Sequence, residues 1–126
     1  MSITTLDELG LDGVFSCADT AGRVPGVLAL GGSDGGLPLY FARLLAAERC
    51  ACLALAYHST PKTQPNLVEV PLEGLEWALR WLCDHPRVAA RDGRVGIVAA
   101  SKGADVALVL ATRVPGLVGP VVPYTP

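Results

Sequence analysis

"GIVAASKGADVAL", residues 96–108, decides the fold that this sequence predicts. Its first part is an apolar run of strand length, which stops at Ser101 and Lys102 and continues as an apolar stretch of helical length. Strand-to-helix corners of this kind are typical of parallel sheets, in which each strand is followed by a helix that packs on the sheet. The stretch therefore predicts an α/β fold, and it makes Ser101 the residue to explain.

The alternation of strands and helices continues on both sides of this corner. Strands are predicted at 26–30, 51–57 and 94–100 and within 117–126, and helices at 37–49, 72–86 and 103–114. The apolar faces of the first two helices are Leu37, Phe41, Leu44 and Leu45, and Leu72, Leu75, Leu79 and Leu82. The third helix is apolar nearly all round, which predicts that it is buried against the sheet.

This order predicts a single domain over residues 1–126 with a mostly parallel sheet. Helices cover both faces of the sheet, which gives a three-layer α/β/α arrangement. The opening "DGVFSCADTAGRVP" favours an edge hairpin within residues 1–25, ahead of the first parallel strand.

Composition excludes several classes of function. The chain has 126 residues, of which 51% are hydrophobic and 17% charged, and its net charge is −2. Without a local cluster of Lys or Arg, this charge argues against nucleic acid as a partner. The first residues lack the regions of a secretory signal, and no apolar run reaches the ~20 residues that a membrane span needs. We therefore expect a cytoplasmic protein that does not bind membranes.

Cysteine spacing argues against metal and disulfide chemistry. The four cysteines are Cys17, Cys50, Cys52 and Cys83. Their spacing is C-x-C at best, which matches neither a zinc site nor a disulfide framework, and most of them lie inside apolar runs. We expect them to be buried free thiols.

The residues around Ser101 have the sizes that a nucleophile elbow requires. In this strained turn the neighbouring backbone passes so close that only small residues fit two positions before and after the nucleophile, here Ala99 and Gly103. The usual pattern is G-x-S-x-G, so Ala99 departs from it but remains small. Ser101 would then lie at the carboxyl end of a strand, where open α/β sheets gather their chemistry.

An attacking serine needs donors for the oxyanion that forms on the substrate carbonyl. The N–H of Lys102 begins the helix and has no partner within it. The second donor is expected from "GGSDGG" (31–36), the loop after the first parallel strand, where Gly32 and Ser33 are the candidates. As a phosphate cradle this loop fails, because it has neither a G-x-G-x-x-G register nor a Lys-Ser/Thr pair after it.

Both features also have a purely structural interpretation. Ser101 is equally suited to be an N-cap residue that starts an ordinary helix. The structural alternative for the loop 31–36 is a plain strand-to-helix turn. Spacing alone leaves these alternatives open.

Three quoted stretches carry a family resemblance. They are "ARLLAAERCACLALAYHS" (42–59), "LEGLEWALRWLCDHPRV" (72–88) and "RVGIVAASKGADVALVLA" (94–111). Together they resemble the C-terminal catalytic domain of acyl-CoA thioesterases and bile acid-CoA:amino acid N-acyltransferases, an α/β-hydrolase family near the dienelactone hydrolases. The "SKGA" corner and the preceding "HPRV" are the most specific parts, and the resemblance begins near Gly26.

The resemblance implies acyl transfer from a CoA thioester to water or an amine. It places Ser101 at the position of the nucleophile, makes acyl-CoA the substrate and requires no other cofactor. The fold it implies is a partial α/β-hydrolase fold. Arg49 and Cys50 stand where the family usually has Gly and an aromatic residue.

The other members of a catalytic triad are not found where this fold places them. The triad order is Ser, then Asp or Glu, then His, whereas Asp105 is the only acidic residue after Ser101 and no histidine follows. His58 follows the second parallel strand, and the fold places another strand between it and Ser101, which puts it beyond hydrogen-bond reach in most of its rotamers and leaves it a minor candidate for the base. His85 ends a helix at the opposite edge of the sheet. We therefore expect impaired activity.

Three interpretations of the chain remain open at this point. It is the first part of a longer hydrolase, a split or decayed gene product, or a small non-catalytic module that binds acyl-CoA or a protein. In each case the last predicted strand, 117–126, leaves an unpaired sheet edge that favours self-association near Val121 and Val122. Pro120 and Pro123 do not suit a central strand and would blunt that edge.

Overall fold

The strands and helices alternate along the chain in the predicted order. The computed structural model describes residues 2–6, 12–17, 19, 21–32, 37–57 and 72–124. Within these residues the strands are β1 (Ser2–Leu6), β2 (Asp12–Cys17), β3 (Gly26–Leu30), β4 (Ala51–Ala56), β5 (Val95–Ala100) and β6 (Val118–Tyr124). The helices are α1 (Leu39–Ala47), α2 (Leu72–Asp84) and α3 (Lys102–Arg113). Each predicted element is present, with ends close to those predicted.

One sheet contains all six of these strands, in the order β1-β2-β4-β3-β5-β6. The pairs β3–β4, β3–β5 and β5–β6 are parallel, whereas β1–β2 and β2–β4 are antiparallel. The predicted mostly parallel sheet is therefore confirmed. A hairpin does form at the sheet edge, but it is built from β1 and β2, so the stretch 12–25 supplies only its second strand.

Alternate residues of the strands point to opposite faces, and this separates two hydrophobic clusters. The larger cluster joins Leu28 and Leu53 of the sheet to α2 and α3, including Leu79 and Leu110. The smaller cluster joins small strand residues to α1, and its buried members are Ala29, Phe41, Ala42, Cys52, Ala54 and Ala100. Helices thus cover both faces of the sheet, as the three-layer prediction requires.

Two predicted helix faces are less buried than expected. Leu44 of α1 is 64% exposed, so its predicted place on the core face is wrong. Leu108 and Val109 of α3 are 58% and 44% exposed, so α3 is not buried all round. A helix that lies on a sheet buries one face, and here Gly103, Ala107 and Leu110 form that face of α3. The apolar residues opposite remain in contact with solvent.

The four cysteines are free, as expected, but only two of them are buried. Cys17 and Cys52 are buried, and burial raises the pKa of the Cys52 thiol to about 12. The predicted full burial of Cys50 and Cys83 is wrong, because both are only half-buried. Burial still raises the pKa of both thiols, so thiolate chemistry is disfavoured at each.

Strand β6 forms the edge of the sheet beyond β5. Its register to β5 shifts between Val95 and Ile97, which marks a bulge. Pro120 and Pro123 are exposed on this strand, and an edge is the position in which a sheet tolerates proline. Val122 is 56% exposed beside them. Self-association through this edge stays a prediction.

Candidate active site

Ser101 makes the corner between β5 and α3 with a backbone conformation that serine rarely adopts. Its φ is 47° and its ψ is −114°. These angles lie near the first central position of a type II′ turn, at about +60° and −120°, where glycine dominates. A non-glycine residue held at such angles carries strain on the order of 1–3 kcal/mol.

The Ser101 hydroxyl does not cap the helix that it precedes. An ordinary N-cap residue lies in the β region and accepts a hydrogen bond from an N–H of the first turn. Ser101 has a positive φ, and its side chain makes no cap hydrogen bond. The side chain is exposed at the carboxyl end of the sheet. These observations do not fit the N-cap interpretation.

Gly103 explains why this corner needs a small residue. A Cβ atom built on Gly103 would collide with the carbonyl oxygen of Gly31 and would lie 3.2 Å from that of Leu30. Both obstacles are backbone atoms at the end of β3, so neither can rotate away. Ala99 lies on the other side of Ser101 and is fully buried opposite Leu30. Both positions therefore have the small size that the elbow pattern predicts.

Lys102 is the first residue of α3, so its N–H is one of the amide groups at the helix start that have no partner within the helix. Its ammonium lies 3.2 Å from the carboxylate of Asp105, and both side chains are largely exposed. Asp105 thus pairs with a lysine on its own helix, and this contact does not make it the triad acid that would orient a histidine.

The second group of candidate donors lies in the loop after β3. Leu30 pairs with Ala99 in the parallel register, which places Gly31 and Gly32 level with the Ser101 corner on the neighbouring strand. Both glycines are buried. Ser33, the other candidate donor, lies outside the described residues.

Tyr57 is a residue that sequence analysis missed at this edge. It follows β4, is 2% exposed, and its hydroxyl donates a hydrogen bond of 2.6 Å to the Gly31 carbonyl oxygen. The available signal was a single hydroxyl at the end of the apolar run "ACLALAY" (51–57). A buried tyrosine hydroxyl nearly always has a partner, but the sequence does not say which.

The described part of the structure shows no histidine beside Ser101. His85 follows α2 and stacks on Phe15 at 4.2 Å and near Trp81 at 5.0 Å. Its Nδ1 accepts a hydrogen bond from the Arg87 N–H at 3.1 Å. The adjoining segment pairs with Val24, ahead of β3, so His85 lies at the amino end of the sheet, as predicted.

His58 lies outside the described residues. The strand that precedes it, β4, is separated from β5 by β3, as the sequence analysis expected. Two strand spacings of about 4.8 Å each therefore lie between the ends of β4 and β5.

The residues described above contain no group of three His, Cys, Asp or Glu side chains that could hold a metal ion. They also contain no helix of the length and apolarity needed to cross a membrane.

The topology and the serine corner define an α/β-hydrolase fold. Dienelactone hydrolase from Anabaena variabilis is similar in structure, with a TM-score of 0.68 and 23% sequence identity. The match covers 97% of this chain and 62% of that protein. The fold class expected from the sequence is confirmed.

The sequence itself is similar to one family within this fold. Residues 70–123 match the family described as BAAT / Acyl-CoA thioester hydrolase C terminal. Over 90 residues the chain is 42% identical to acyl-coenzyme A thioesterase 6 and 39% identical to acyl-coenzyme A amino acid N-acyltransferase 1, both from Mus musculus. Each match covers 71% of this chain and 21% of the relative, so the chain spans about a fifth of their length. The resemblance drawn from the sequence is confirmed.

Proposed function

We propose that Ser101 is the nucleophile of an acyl-CoA thioesterase-type site. The observation that carries this proposal is the positive-φ corner of Ser101, whose exposed hydroxyl is not used to cap α3. Strain of this kind persists only where surrounding structure enforces it, and it clusters at functional sites. An ordinary helix start needs no such strain.

In the proposed reaction the Ser101 oxygen attacks the carbonyl carbon of a CoA thioester. A C–O bond forms and the C–S bond breaks, so CoA leaves with its sulfur and takes up the proton that the serine lost. Water or an amine then attacks the carbonyl carbon of the acyl-serine ester, and the bond from that carbon to the Ser101 oxygen breaks. A carboxylic acid or an amide is released, and the proton lost by the attacking group restores the serine hydroxyl. The reaction uses no cofactor besides the thioester substrate.

The N–H of Lys102 and a second donor in the Gly31–Gly32 loop would stabilise the oxyanion of each tetrahedral intermediate. Lys102 supplies an amide at the start of α3, where the helix dipole also favours negative charge. Gly32 lies on the neighbouring strand's loop at the same level of the sheet. Ser33 remains the alternative second donor.

The substrate class rests on the relatives. One named relative is an acyl-coenzyme A thioesterase and another an acyl-coenzyme A amino acid N-acyltransferase. Both names share the acyl-CoA donor and differ in the acceptor, so the proposal covers the donor and both acceptors. We place the reaction in the cytoplasm.

The proposed reaction needs a general base that takes the proton of the Ser101 hydroxyl. The described residues bring no histidine to Ser101, because His85 stacks at the other end of the sheet. In triad hydrolases without their acid and base, the oxyanion hole and binding leave about 10³–10⁴-fold acceleration over water. We therefore expect slow turnover by this chain alone.

Covalent labelling tests the nucleophile directly. A serine-directed fluorophosphonate should modify the folded chain at Ser101, as located by mass spectrometry of its peptides, and the Ser101→Ala variant should stay unlabelled. Thiol release from a medium-chain acyl-CoA should follow the same pattern at a low rate. The urea-unfolded chain is the control for intrinsic serine reactivity.

Two outcomes would contradict the proposal. Labelling that is equal in the wild-type chain and in Ser101→Ala would assign it to another residue. Acyl-CoA binding without labelling or turnover, unchanged in Ser101→Ala, would instead favour a non-catalytic binding module.

A further inference from the structure

Tyr57 is a buried tyrosine whose hydroxyl contacts the loop after β3, where the second oxyanion donor is proposed. Its ring belongs to the larger hydrophobic cluster, and its hydroxyl donates to the Gly31 carbonyl oxygen at 2.6 Å. These residues are far apart along the chain but follow neighbouring strands, β4 and β3. The bond therefore ties together two loops at the carboxyl end of the sheet.

The same carbonyl is confined from the opposite side. Gly103 of α3 lies so close that a Cβ atom there would collide with the Gly31 oxygen. Since the strand order is β4-β3-β5, the carbonyl lies between the hydroxyl that follows β4 and the helix that follows β5. The Gly31 oxygen is held by an attractive contact on one side and by a steric limit on the other.

Holding this carbonyl also sets the direction of the next N–H. A peptide unit is planar, and in the trans form its C=O and N–H point in opposite directions. The C=O of Gly31 and the N–H of Gly32 belong to one such unit. Glycine residues otherwise allow a wide range of backbone angles, so an external contact is needed to fix this plane.

We infer that Tyr57 is a positioning residue, whose hydroxyl orients the Gly31–Gly32 peptide as the second donor of the oxyanion hole. The inference rests on the proposed function of Ser101 and adds to it a residue from a third strand. Oxyanion stabilisation depends on donors fixed before the charge develops, so a rotated peptide loses rate with little loss of ligand binding.

Tyr57→Phe separates this role from simple packing. The phenylalanine ring fills the same space in the core and lacks only the hydroxyl. Tyr40→Phe is the matched control, because Tyr40 lies on α1 and is 46% exposed. Fluorophosphonate labelling at Ser101 is measured at several concentrations, which separates the maximal labelling rate from the affinity for the reagent.

We expect the maximal labelling rate of Tyr57→Phe to fall about tenfold, less than the 10²–10³-fold typical of deleting an oxyanion donor outright. The affinity for the reagent should stay within about twofold, and Tyr40→Phe should match the wild type in both. A residue that only packs would leave the maximal rate unchanged, and that result would overturn the inference while Ser101 labelling stands.

A second readout does not depend on reactivity. In Tyr57→Phe the ¹³C resonance of the Gly31 carbonyl and the ¹⁵N resonance of the Gly32 amide should shift, while those of Leu28 in β3 report an intact sheet. If the wild-type chain is not labelled at all, the proposed function fails and the oxyanion role of the peptide fails with it, while these resonances still test whether the Tyr57 hydroxyl orients the peptide. Shifts confined to Gly31 and Gly32 then support the positioning, and unshifted resonances overturn it.

Discussion

Each end of the parallel sheet has a glycine with no room for a side chain, but different kinds of atom fill the space at the two ends. At the amino end Gly26 faces the Val88 side chain, 2.6 Å from where its Cβ would be. At the carboxyl end Gly103 faces the backbone carbonyl of Gly31 instead. A methyl group can rotate away, whereas a carbonyl inside a sheet loop cannot. The amino end is thus adaptable and the carboxyl end is rigid.

The two ends of the sheet also differ in how they use a residue with a positive φ. Arg49 turns from α1 towards β4 with a φ of 60°, and the surrounding N–H groups are used: Arg49 donates to Ala46 and Cys50 to Leu45. These bonds complete the last turn of α1, so the positive φ of Arg49 serves to end the helix. Ser101 has a φ of 47°; its carbonyl oxygen accepts from the Ala104 N–H at 3.0 Å, but its side chain makes no cap bond. The contrast supports a structural role for the Arg49 turn and a chemical one for the Ser101 turn.

The largest expected effect tests the rigid end. Gly103→Ala should lower the free energy of unfolding by about 3 kcal/mol, at the upper end for overpacking, because the new methyl group meets only backbone. Urea denaturation followed by circular dichroism measures the change.

Two other glycines serve as controls for that measurement. Gly116→Ala should change stability by less than about 0.5 kcal/mol, since nothing lies within 4 Å of the added methyl group. Gly26→Ala should fall between the two, because the Val88 side chain can adjust. If Gly103→Ala were as stable as Gly116→Ala, the claim that the carboxyl end is rigid would be wrong.

The next effect concerns the strain at Ser101. Ser101→Gly should stabilise the chain by about 1 kcal/mol, because glycine adopts a positive φ without the steric cost that serine bears. Ser101→Ala keeps a Cβ and should stay near the wild type. Both variants should lose fluorophosphonate labelling, so stability and reactivity would change independently. A Ser101→Gly variant less stable than Ser101→Ala would show that the serine is not strained.

A smaller change in stability is expected at Arg49, which has a positive φ at the amino end of the sheet. Arg49→Gly should stabilise by about 0.5 kcal/mol, since relief at the positive φ is partly offset by the greater freedom of glycine in the unfolded chain. Arg43→Gly, an exposed substitution within α1, should instead destabilise by about 1 kcal/mol. Opposite signs for the two substitutions would support the assignment of the Arg49 turn as a helix end, and equal signs would contradict it.

Hydrophobic periodicity was enough to predict β3 to β6 and the three helices, and with them the parallel sheet and the serine corner. Small residues on either side of Ser101 predicted the tight turn, because their size records how close the backbone must pass. Periodicity could not show what covers a helix face, so Leu44 was assigned to the core although it is 64% exposed. The sequence also could not predict hydrogen bonds between residues that are far apart along the chain. The expected fold placed β3 beside β4, but no pattern in the sequence shows that the Tyr57 hydroxyl reaches the Gly31 carbonyl.

His85 shows the same limit at the amino end, and it yields the smallest expected effect. The sequence placed it at the end of a helix, but its stacking on Phe15 and Trp81 depends on β2 lying beside α2. Burial, and secondarily the positive charge of Arg87, lowers the pKa of His85 below its ordinary value of 6.5. The folded chain therefore binds this proton less readily than the unfolded chain does. Its contribution to stability is complete above pH 6.5 and is lost as the pH falls through the lowered value.

His85→Gln should remove this pH dependence. Between pH 5 and 7.5 the wild-type chain should lose stability on acidification more steeply than the variant, as measured by urea denaturation at each pH. Any contribution of His58 is common to both chains and cancels in the difference. Parallel pH profiles would mean that the stacked ring accepts a proton without cost, and the packed amino end would then be more open to solvent than its aromatic contacts indicate.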